Sequence, residues 1–380
     1  NSRKFRRRED KVAKRAVPVC SEIPQPGFHK IAEKFTSAAA DCSKLNDSSA
    51  KKDLSVVYTP LFGSGRDFVL DALEKDGFSQ VHLVKKQAGF DGKFPGLRKP
   101  NPEEPEVFRI AEREALREHA DLMIATDPDS DRIGAGVICD SKAFFFTGNQ
   151  IGALLADFLS RQGSVKGKIM VTTVVTGDLG SRIVTSRGAT VIHTLTGSKF
   201  VCEEMNHMEA GEFLLGYEES HGYIGGMHIR DKDGVLAAML LCETAAWHKT
   251  QGRTLLDALE DLYQEYGYYI DEQDSFVFEG AKGAKEMQKI MARLRSRRGS
   301  VFAPLGKPDK ILDYEKGVDE LPRSNVLKFF FPNGSWVAVR PSGTEPKIKF
   351  YYCIRGKDQR QAQDLYEAVQ TSVEEFLRTF

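Results

Sequence analysis

The chain has 380 residues, of which 41% are hydrophobic and 28% charged, a composition typical of a globular protein with roughly two to four domains. Lysine and arginine together number 54, and so do aspartate and glutamate, so no excess charge favours nucleic acid or an anionic membrane as a partner. No apolar run reaches the roughly 18 residues that a membrane-spanning helix requires.

The N-terminal segment is strongly basic up to Arg15 and begins at Asn1 rather than at methionine. Such a charge run is typical of a solvated tail or of the cut edge of a larger protein, and it lacks the apolar core of a secretion signal. We predict that residues 1–51 are an extension or the remnant of a preceding domain. A nuclear or organellar address is the alternative, and the role of residues 1–28 stays unassigned.

The six cysteines are scattered, without a C-x-x-C pair or a nearby histidine at the spacing of a zinc site. In a chain of this size the pattern favours reduced thiols over a disulfide framework. It therefore predicts a cytoplasmic protein.

The first predicted domain, residues 52–147, opens as an α/β unit. Strand, glycine-rich turn, helix and strand follow one another in Ser55–Tyr58, Phe62–Gly65, Arg66–Asp76 and Val81–Val84. The pair of glycines at 63 and 65 also begins a dinucleotide-binding pattern, but Phe68 stands where its third glycine is required. The sequence therefore gives little support to a dehydrogenase.

Three aspartates, Asp127, Asp129 and Asp131, crowd the loop between two apolar, strand-like segments, residues 120–125 and 133–139. An EF-hand also opens D-x-D-x-D, but it requires glycine sixth and glutamate twelfth, and this loop has arginine and isoleucine there. A haloacid-dehalogenase-type phosphatase requires D-x-D-x-T, and an aspartate occupies the threonine position. Neither class fits.

Crowded carboxylates need a partner. Two of them about 4 Å apart repel by roughly 4 kcal/mol at an effective dielectric of about 20. A Mg²⁺ ion would relieve this repulsion, and an open position in its shell suits a phosphoryl oxygen, which Arg132 would steady with its guanidinium. Asp-Pro-Asp-Ser-Asp is also good turn chemistry, so a metal site and a solvated turn both remain open here.

The second predicted domain, residues 148–273, repeats the order of the first. Strand, turn, helix and strand follow in Ile169–Val175, Thr176–Gly180, Ser181–Arg187 and Thr190–Thr194. The loop Gly216–Gly222 carries acidic and hydroxyl groups that suit sugar hydroxyls, unless it is a plain surface loop. The alternation predicts consecutive mixed α/β domains with helices covering the sheets.

The last predicted domain, residues 274–380, follows a different pattern. Asn-Gly at 333–334 between apolar runs predicts a hairpin, Ile348–Ile354 a strand and Gln359–Phe380 a terminal helix. These elements predict a C-terminal α+β domain. Its loop Arg340–Pro346 offers a guanidinium, hydroxyls and a glycine N–H to a phosphate, or is an ordinary turn between strands.

Four motifs occur in a fixed order: T-D-P-D-S-D-R, T-G-S-K, G-Y-E-E-S-H-G with I-R-D-K-D-G, and R-P-S-G-T-E-P. Together they resemble the α-D-phosphohexomutases, the phosphoglucomutase and phosphomannomutase family, and in particular its bacterial phosphoglucomutases. Val57–Leu61, Asn101–Pro105 and Thr147–Gln150 resemble further segments of those enzymes. The resemblance covers about residue 52 to the C-terminus and implies the second, third and fourth domains of that family.

The resemblance also implies roles for single residues. Those that match would hold Mg²⁺ (Asp127, Asp129, Asp131), grip sugar hydroxyls (Glu218, Ser220), orient the sugar (Thr196, Gly197) and bind the non-transferring phosphate (Arg340, Ser342, Gly343, Thr344). Lys232, just before a helix that begins near Asp233, matches a lysine that acts as general acid or base. With Arg132 it completes the implied catalytic set.

In that family a phosphoserine gives its phosphoryl group to a hexose phosphate, and the bound 1,6-bisphosphate turns around and returns the other one. The implied cofactors are Mg²⁺ and glucose 1,6-bisphosphate, and the implied partner is a small hexose phosphate. Phosphomannomutase, phosphopentomutase and hexose-bisphosphate synthase specificities remain alternatives. The oligomeric state is not indicated.

The chain departs from the family at three places. The T-A-S-H-N-P-like segment with the nucleophilic serine is not found, so we expect either a truncated mutase, which would be inactive alone, or a non-catalytic phosphosugar-binding or regulatory protein. Phe62 stands where histidine is frequent, and its effect would be the loss of a polar partner near the phosphate. Ser198 stands where an aromatic residue is common, which would loosen the sugar packing.

Overall fold

The computed structural model describes residues 28–209, 211–278, 280–342 and 345–380. The basic N-terminal segment, and Gly343 with Thr344 of the predicted phosphate loop, lie outside the described residues. By its internal contacts the chain divides into residues 1–35 and residues 36–380. The described end of the first unit is helical, and the second unit contains all the described strands.

Helices and strands alternate along most of the described chain. The helices are α1 (Phe28–Ala40), α2 (Ser48–Asp53), α3 (Gly65–Asp76), α4 (Arg109–Glu118), α5 (Gly148–Arg161), α6 (Asp178–Ser186), α7 (Ser198–Met205), α8 (Gly234–Lys249), α9 (Leu255–Tyr266), α10 (Gly280–Arg297) and α11 (Gln359–Leu377). The strands are β1 (Ser55–Thr59), β2 (Gln80–Leu83), β3 (Leu122–Thr126), β4 (Ile133–Cys139), β5 (Lys142–Phe146), β6 (Ile169–Thr173), β7 (Thr190–Thr194), β8 (Phe213–Glu218), β9 (Gly222–Ile224), β10 (Tyr268–Val277), β11 (Lys310–Asp313), β12 (Leu327–Phe330), β13 (Trp336–Pro341) and β14 (Lys347–Gly356).

The first sheet has the strand order β2-β1-β3-β4-β5. β1 runs parallel to β2 and β3, whereas β4 and β5 are antiparallel. Every residue of β1 and β3 is buried, as expected for parallel strands covered on both faces. α3 ends at Asp76, and the φ of 99° at the following Gly77 is the left-handed conformation of a helix C-cap. The predicted strand, turn, helix and strand are confirmed.

The second sheet repeats this arrangement in the order β7-β6-β8-β9. β6 is parallel to β7 and β8, and β9 is antiparallel to β8. The predicted repeat is confirmed, but α6 begins three residues earlier than predicted, at Asp178, which follows the N-cap Gly177. The preceding strand ends at Thr173 because a turn forms there, with Thr176 N donating to Thr173 O at 3.2 Å.

The third sheet is antiparallel throughout, in the order β10-β14-β13-β12-β11. The predicted hairpin is the β12–β13 connection, where Gly334 has a φ of 85°. The terminal helix is confirmed, although α11 ends at Leu377 rather than at Phe380. Phe329, Phe350 and Val369 belong to one core between this sheet and its helices. The α+β prediction for this segment is therefore confirmed.

Helix α8 lies between the two α/β sheets. It contacts both α3 and α5, which explains why nearly all of its first four turns are buried. Glu243, fully buried in this apolar helix, accepts hydrogen bonds from Lys44 N at 2.9 Å and Leu45 N at 3.0 Å and pairs with Lys51 Nζ at 2.8 Å. The buried charge is tolerated because it is fully partnered.

The third sheet is fixed to the second by buried polar contacts. Trp336 Nε1 donates to Asp178 Oδ1 at 3.0 Å, and Lys328 Nζ donates to Val174 O at 2.8 Å. The same Nζ lies 3.7 Å from the centre of the Trp336 ring, and burial lowers the pKa of Lys328 to about 8. These contacts orient β13, which carries Arg340, against the second sheet.

Three further expectations concern the whole chain. The domain boundaries near residues 52, 147 and 273 stay predictions; α5 begins at Gly148, and β10 crosses residue 273. The cysteines within the described residues are free thiols, and Cys20 lies outside them. Among the described helices, none has the length and apolarity that crossing a bilayer requires.

Candidate functional site

The acidic loop between β3 and β4 is held by the turn that follows β1. Ser64 N donates to Pro128 O at 2.8 Å, and a Cβ on Gly63 would lie 2.4 Å from Pro128 Cα. A Cβ on Gly65 would likewise lie 2.3 Å from Ser130 Oγ. Of the paired glycines that suggested a nucleotide loop, Gly63 is therefore required by the close approach of the Pro128 backbone and Gly65 by the side chain of Ser130.

The second sheet holds the same loop from its other side. Gly234 N, at the start of α8, donates to Ser130 O at 3.0 Å, and Ile133 N donates to His221 O at 3.1 Å. His221 Nδ1 lies 2.9 Å from Ile133 O. The acidic loop is thus clamped between the first and second sheets, and its conformation depends on both.

The three aspartates converge within this clamp. One carboxylate oxygen from each of Asp127, Asp129 and Asp131 lies within 4.8 Å of the others. Burial, and then the neighbouring charge of Asp131, raise the pKa of Asp127 to about 8. Ser130 Oγ is buried beside them without a hydrogen-bond partner among the described residues. The donor set consists of hard oxygens, so it fits Mg²⁺.

Two cationic side chains already approach these carboxylates. Lys232 Nζ donates to Asp131 Oδ2, and a Cβ on Gly222 would lie 2.4 Å from Lys232 Cδ. Arg132 Nε lies 3.8 Å from Asp127 Oδ2 and 3.6 Å from Asp131 Oδ1. The loop therefore places an ammonium and a guanidinium beside the predicted metal ligands.

Arg132 has a stronger partner that the sequence did not indicate. Its NH1 donates to Glu103 Oε1 at 2.6 Å. Glu103 lies in the N-P-E-E-P segment, which carried part of the family resemblance, but no role was predicted for it. The Arg132 backbone N–H also donates to Asp127 Oδ1, at 3.0 Å. The ion pair and this hydrogen bond together hold the guanidinium at the edge of the acidic loop.

The loop after β8 supplies the predicted sugar-binding residues. Glu218 is buried at the end of the strand, and its Oε1 accepts a hydrogen bond from Gly197 N at 2.7 Å. Burial, which this backbone hydrogen bond opposes, raises the pKa of Glu218. Ser220 lies half-buried in the following turn. The Thr196–Gly197 segment after β7 therefore meets Glu218 at the end of β8, although β6 lies between these two strands in the sheet.

Glu219 was not predicted to have a role. Its Oε2 accepts hydrogen bonds from the hydroxyls of Thr173 and Thr176, each at 3.3 Å. Burial, and then the charge of Glu218, raise its pKa to about 7. It is a carboxyl group that titrates close to neutral pH at the edge of the second sheet.

Arg340, on β13, reaches the second sheet. Its NH1 donates to Thr196 Oγ1. Ser342 Oγ accepts from Glu345 N at 3.2 Å, and Ser342 N donates to Lys347 O at 2.8 Å. The predicted phosphate loop thus begins directly beside the predicted sugar-orienting loop.

Lys349, on β14, marks where the loops meet and was missed by sequence reasoning. Burial, and then the like charge of Lys347, lower its pKa, and the charges of Glu219, Glu103 and Arg340 also act on it. Its Nζ donates to Gln273 Oε1 at 3.0 Å. In the sequence Lys349 looks like the neighbouring surface lysines. What distinguishes it is its burial, which is known only once the chain has folded.

The three sheets border one cleft. A cavity of about 390 Å³ is lined by Glu103 from the first, Glu219 and Ser220 from the second, and Tyr351 from the third. The charges of Lys232, Arg132 and Asp131 act on the carboxyl group of Glu218. The same carboxyl group accepts the hydrogen bond from Gly197 N, in the Thr196–Gly197 segment. The acidic loop and Arg340 therefore belong to one continuous set of polar side chains.

Three family models match most of the chain in consecutive order. They are the α/β/α domain II of phosphoglucomutase/phosphomannomutase over residues 33–139, the α/β/α domain III over residues 147–266, and the C-terminal domain over residues 277–371. The chain belongs to the phosphoglucomutase/phosphomannomutase family. The family resemblance is thereby confirmed, and the match to domain II begins earlier, at residue 33, than the motifs indicated.

Named relatives are longer than this chain. The phosphoglucomutase of Staphylococcus haemolyticus is 36% identical over 350 residues, which cover 88% of this chain and 64% of the relative. Among solved structures, pp63/parafusin (phosphoglucomutase) of Paramecium aligns with a TM-score of 0.67 at 21% identity, over 90% of this chain and 61% of that one. The chain thus spans less than two thirds of the proteins that it matches.

A solved mutase complex shares the fold as well. A serine-to-alanine variant of the Aspergillus fumigatus N-acetylphosphoglucosamine mutase, in complex with glucose 1,6-bisphosphate, aligns with a TM-score of 0.50 at 13% identity. The alignment covers 90% of this chain and 65% of that one. At this identity the likeness concerns the fold alone.

Proposed function

We propose that this chain carries the metal-, sugar- and phosphate-binding parts of a phosphoglucomutase-type isomerase, which interconverts hexose 1-phosphate and hexose 6-phosphate through a bound 1,6-bisphosphate. One observation supports the proposal above the others: Glu218 is bonded to Gly197, next to the Thr196 that Arg340 contacts, and its carboxyl group lies under the influence of the charges of Lys232, Arg132 and Asp131. The named relatives support it, since they are phosphoglucomutases. The glucose 1,6-bisphosphate bound by the fungal mutase supports a bisphosphate ligand.

The acidic loop is the proposed transfer end of the cleft. Asp127, Asp129 and Asp131 would hold Mg²⁺, which supplies charge neutralisation for a transferring phosphoryl group. Arg132, fixed by Glu103, presents its guanidinium to the same group. The phosphoserine that the family uses as donor is assigned to no residue of this chain.

Lys232 is the proposed general acid and base. Its Nζ holds a proton against Asp131 Oδ2, on the side of the acidic loop that faces the second sheet. From there it would donate the proton to the leaving oxygen and recover one from the attacking hydroxyl. The buried stem of the side chain, packed on Gly222, fixes where that proton is held.

The other end of the cleft would bind the phosphate that is not transferred. Arg340 and Ser342 offer a guanidinium and a hydroxyl there, and Gly343 and Thr344 complete the proposed loop. Glu218, Ser220 and the Thr196–Gly197 segment lie between the two ends and suit vicinal sugar hydroxyls. Hydrogen-bonding groups of this kind serve a sugar in either orientation better than a shape-tight apolar pocket would.

Binding measurements on two variants test the proposal. In Arg340→Ala we expect the affinity for glucose 6-phosphate to fall about tenfold or more, because a charge-assisted hydrogen bond contributes about 1.5–3 kcal/mol. In Asp129→Asn we expect the Mg²⁺ affinity to fall by a similar factor while glucose 6-phosphate still binds in the absence of Mg²⁺. Isothermal titration calorimetry measures both.

Arg360→Ala is the matched control, because it removes an arginine whose side chain is 92% exposed on α11. It should change neither affinity. The proposal fails if glucose 6-phosphate binds equally well to the parent chain and to Arg340→Ala. It also fails if Asp129→Asn leaves the Mg²⁺ affinity unchanged.

A further inference from the structure

A cysteine, a histidine and an aspartate form a chain of contacts away from the polar cleft. Cys42 Sγ lies 4.0 Å from His228 Nδ1, and His228 Nε2 lies 3.0 Å from Asp233 Oδ2. Asp233 is buried and fixed, since its Oδ1 caps α8 by accepting from Val235 N and Leu236 N, each at 3.0 Å. Neither the sequence motifs nor the proposed reaction uses Cys42 or His228.

The contacts determine which ring nitrogen faces the sulfur. A carboxylate only accepts hydrogen bonds, so His228 Nε2 carries a hydrogen that it donates to Asp233, and Nδ1 is turned to Cys42. The hydrogen bond to Asp233, and then the contact with Cys42, raise the pKa of His228 to about 9. Cys42 Sγ also donates to Ala38 O at 3.4 Å.

We propose that Cys42 is a reactive thiol that exchanges with low-molecular-weight disulfides, with His228 as its base and Asp233 as the positioning residue for His228. An imidazole held against a cysteine sulfur by a third group is the arrangement that activates a thiol. Cys42 is half-buried as a residue, so its side chain is partly open to a small disulfide. The inference does not depend on the proposed isomerase.

The exchange balances within this group of residues. His228 Nδ1 takes the proton of Cys42, and the sulfur electron pair attacks one sulfur of the disulfide. A new S–S bond forms as the old one breaks, and the released thiolate takes the proton from Nδ1. The products are a mixed disulfide at Cys42 and one free small thiol, with no net oxidation.

A mixed disulfide at Cys42 would clash with residues 226–233, the segment that contains Lys232. A Cβ on Gly226 would lie 2.9 Å from both Cys42 Sγ and His228 Nδ1, so the site has no room beside that glycine. Residues 226–233 carry His228, Lys232 and Asp233. The mixed disulfide should therefore loosen this segment.

Cys139 is an internal control, because it is exposed at the end of β4. With oxidised glutathione at pH 7, we expect Cys42 to react about tenfold faster than Cys139. An ordinary thiol is only about 3% ionised at that pH, so full ionisation would raise its thiolate fraction about thirtyfold. Peptide mapping by mass spectrometry gives the two rates in one sample of the full chain, with Cys20→Ser in every variant.

His228→Gln should lower the Cys42 rate to that of Cys139 or below, and Cys42→Ser should leave Cys139 unchanged. In guanidinium chloride the two rates in the parent chain should converge, which tests the role of the fold without a variant. The proposal is overturned if Cys139 reacts faster than Cys42 in the folded chain, or if folded His228→Gln keeps the Cys42 rate.

Hydrogen exchange tests the effect on the segment. In the mixed disulfide, peptides covering residues 223–236 should exchange faster, because Asp233 N donates to Tyr223 O at 2.8 Å and Gly234 N to Ser130 O at 3.0 Å. Peptides covering β12 and β13 should not change, and dithiothreitol should restore the original rates. Unchanged exchange at 223–236 in the fully modified chain would overturn this part.

Discussion

The four strands of the second sheet follow the same order as β2-β1-β3-β4 of the first, yet the loops at matching positions carry different chemistry. The loop after β3 and the loop after β8 each lead from a parallel strand to an antiparallel neighbour. The first collects three aspartates with Lys232 and Arg132 as counter-ions. The second collects glutamates that are hydrogen-bonded to backbone and hydroxyl groups. The scaffold thus sets where each loop lies, and the loop sequence sets its charge.

Each loop also rests on one glycine of the neighbouring segment. A Cβ on Gly63 would lie 2.4 Å from Pro128 Cα, under the acidic loop, and a Cβ on Gly148 would lie 2.2 Å from Glu219 O, under the second loop. In both pairs the atom that blocks the Cβ is backbone, so it cannot turn away. The two loops can therefore be disturbed separately.

The largest effects are expected from alanine at these glycines. Gly63→Ala and Gly148→Ala should each lower the free energy of unfolding by about 3 kcal/mol, because backbone must move to admit the methyl group. Gly63→Ala should also weaken Mg²⁺ binding, whereas Gly148→Ala should spare it. Urea unfolding and calorimetry measure the two effects.

Gly89→Ala is the control, since a Cβ there meets no atom within 4 Å; it should change stability by less than about 0.5 kcal/mol. Equal loss of Mg²⁺ affinity in Gly63→Ala and Gly148→Ala would show that the two loops do not act independently.

A smaller effect is expected in the pH dependence of the free energy of unfolding, to which Glu219 of the second loop contributes. The pKa of Glu219 is about 7 in the folded chain against an ordinary 4.5, so the folded state holds the proton more tightly. Its contribution to stability is present below pH 4.5 and is lost as the pH rises through 7. Because the side chain is only half-buried, we expect a change of about 2 kcal/mol across that window.

Glu219→Gln should remove this part of the pH dependence and make the chain relatively more stable at pH 8. The difference between parent and variant isolates Glu219 from Asp127, whose pKa of about 8 gives the parent a slope of the same sign. Glu265→Gln, at an exposed position of α9, should keep the parent slope. An unchanged slope in Glu219→Gln would contradict the proposed burial of this carboxyl group.

Patterns of hydrophobicity and turn residues were sufficient to predict part of the secondary structure. Strands such as β4 and β7 were predicted to the residue, because alternating α/β segments are bounded by glycines and charged turns. The predicted ends of α6 and α11 were wrong by a few residues, since caps and turn hydrogen bonds decide where helices stop. The third sheet was predicted as hairpin, strand and helix, but β10 and β11 were not predicted.

The candidate site was predictable only where a motif is local. The acidic loop and the Arg340 turn are contiguous in sequence, so their chemistry can be read directly. Glu103, Glu219 and Lys349 could not be found in this way, because their importance comes from burial and from partners far away in the chain. The charges of Glu219 and Glu103, for example, act on Lys349 only after the three sheets have packed together. Phe62 and Ser198 keep their predicted effects as untested expectations.

The smallest effect concerns the ion pair between Arg132 and Glu103 beside the acidic loop. The Arg132–Glu103 pair has a 2.6 Å contact, and both side chains are about a third exposed, at 32% and 30%. Water therefore screens the pair, and Glu103→Gln should lower the free energy of unfolding by only about 0.5 kcal/mol. The loss should shrink in 1 M salt, where the screening length is about 3 Å.

The neighbouring Glu104, whose partner Lys99 is 3.6 Å away and 62% exposed, provides the control Glu104→Gln, which should be neutral at both salt concentrations. A larger, salt-independent loss in Glu103→Gln would mean that this carboxylate positions the acidic loop by geometry rather than by charge, and the contrast between the two loops would then lie in their packing.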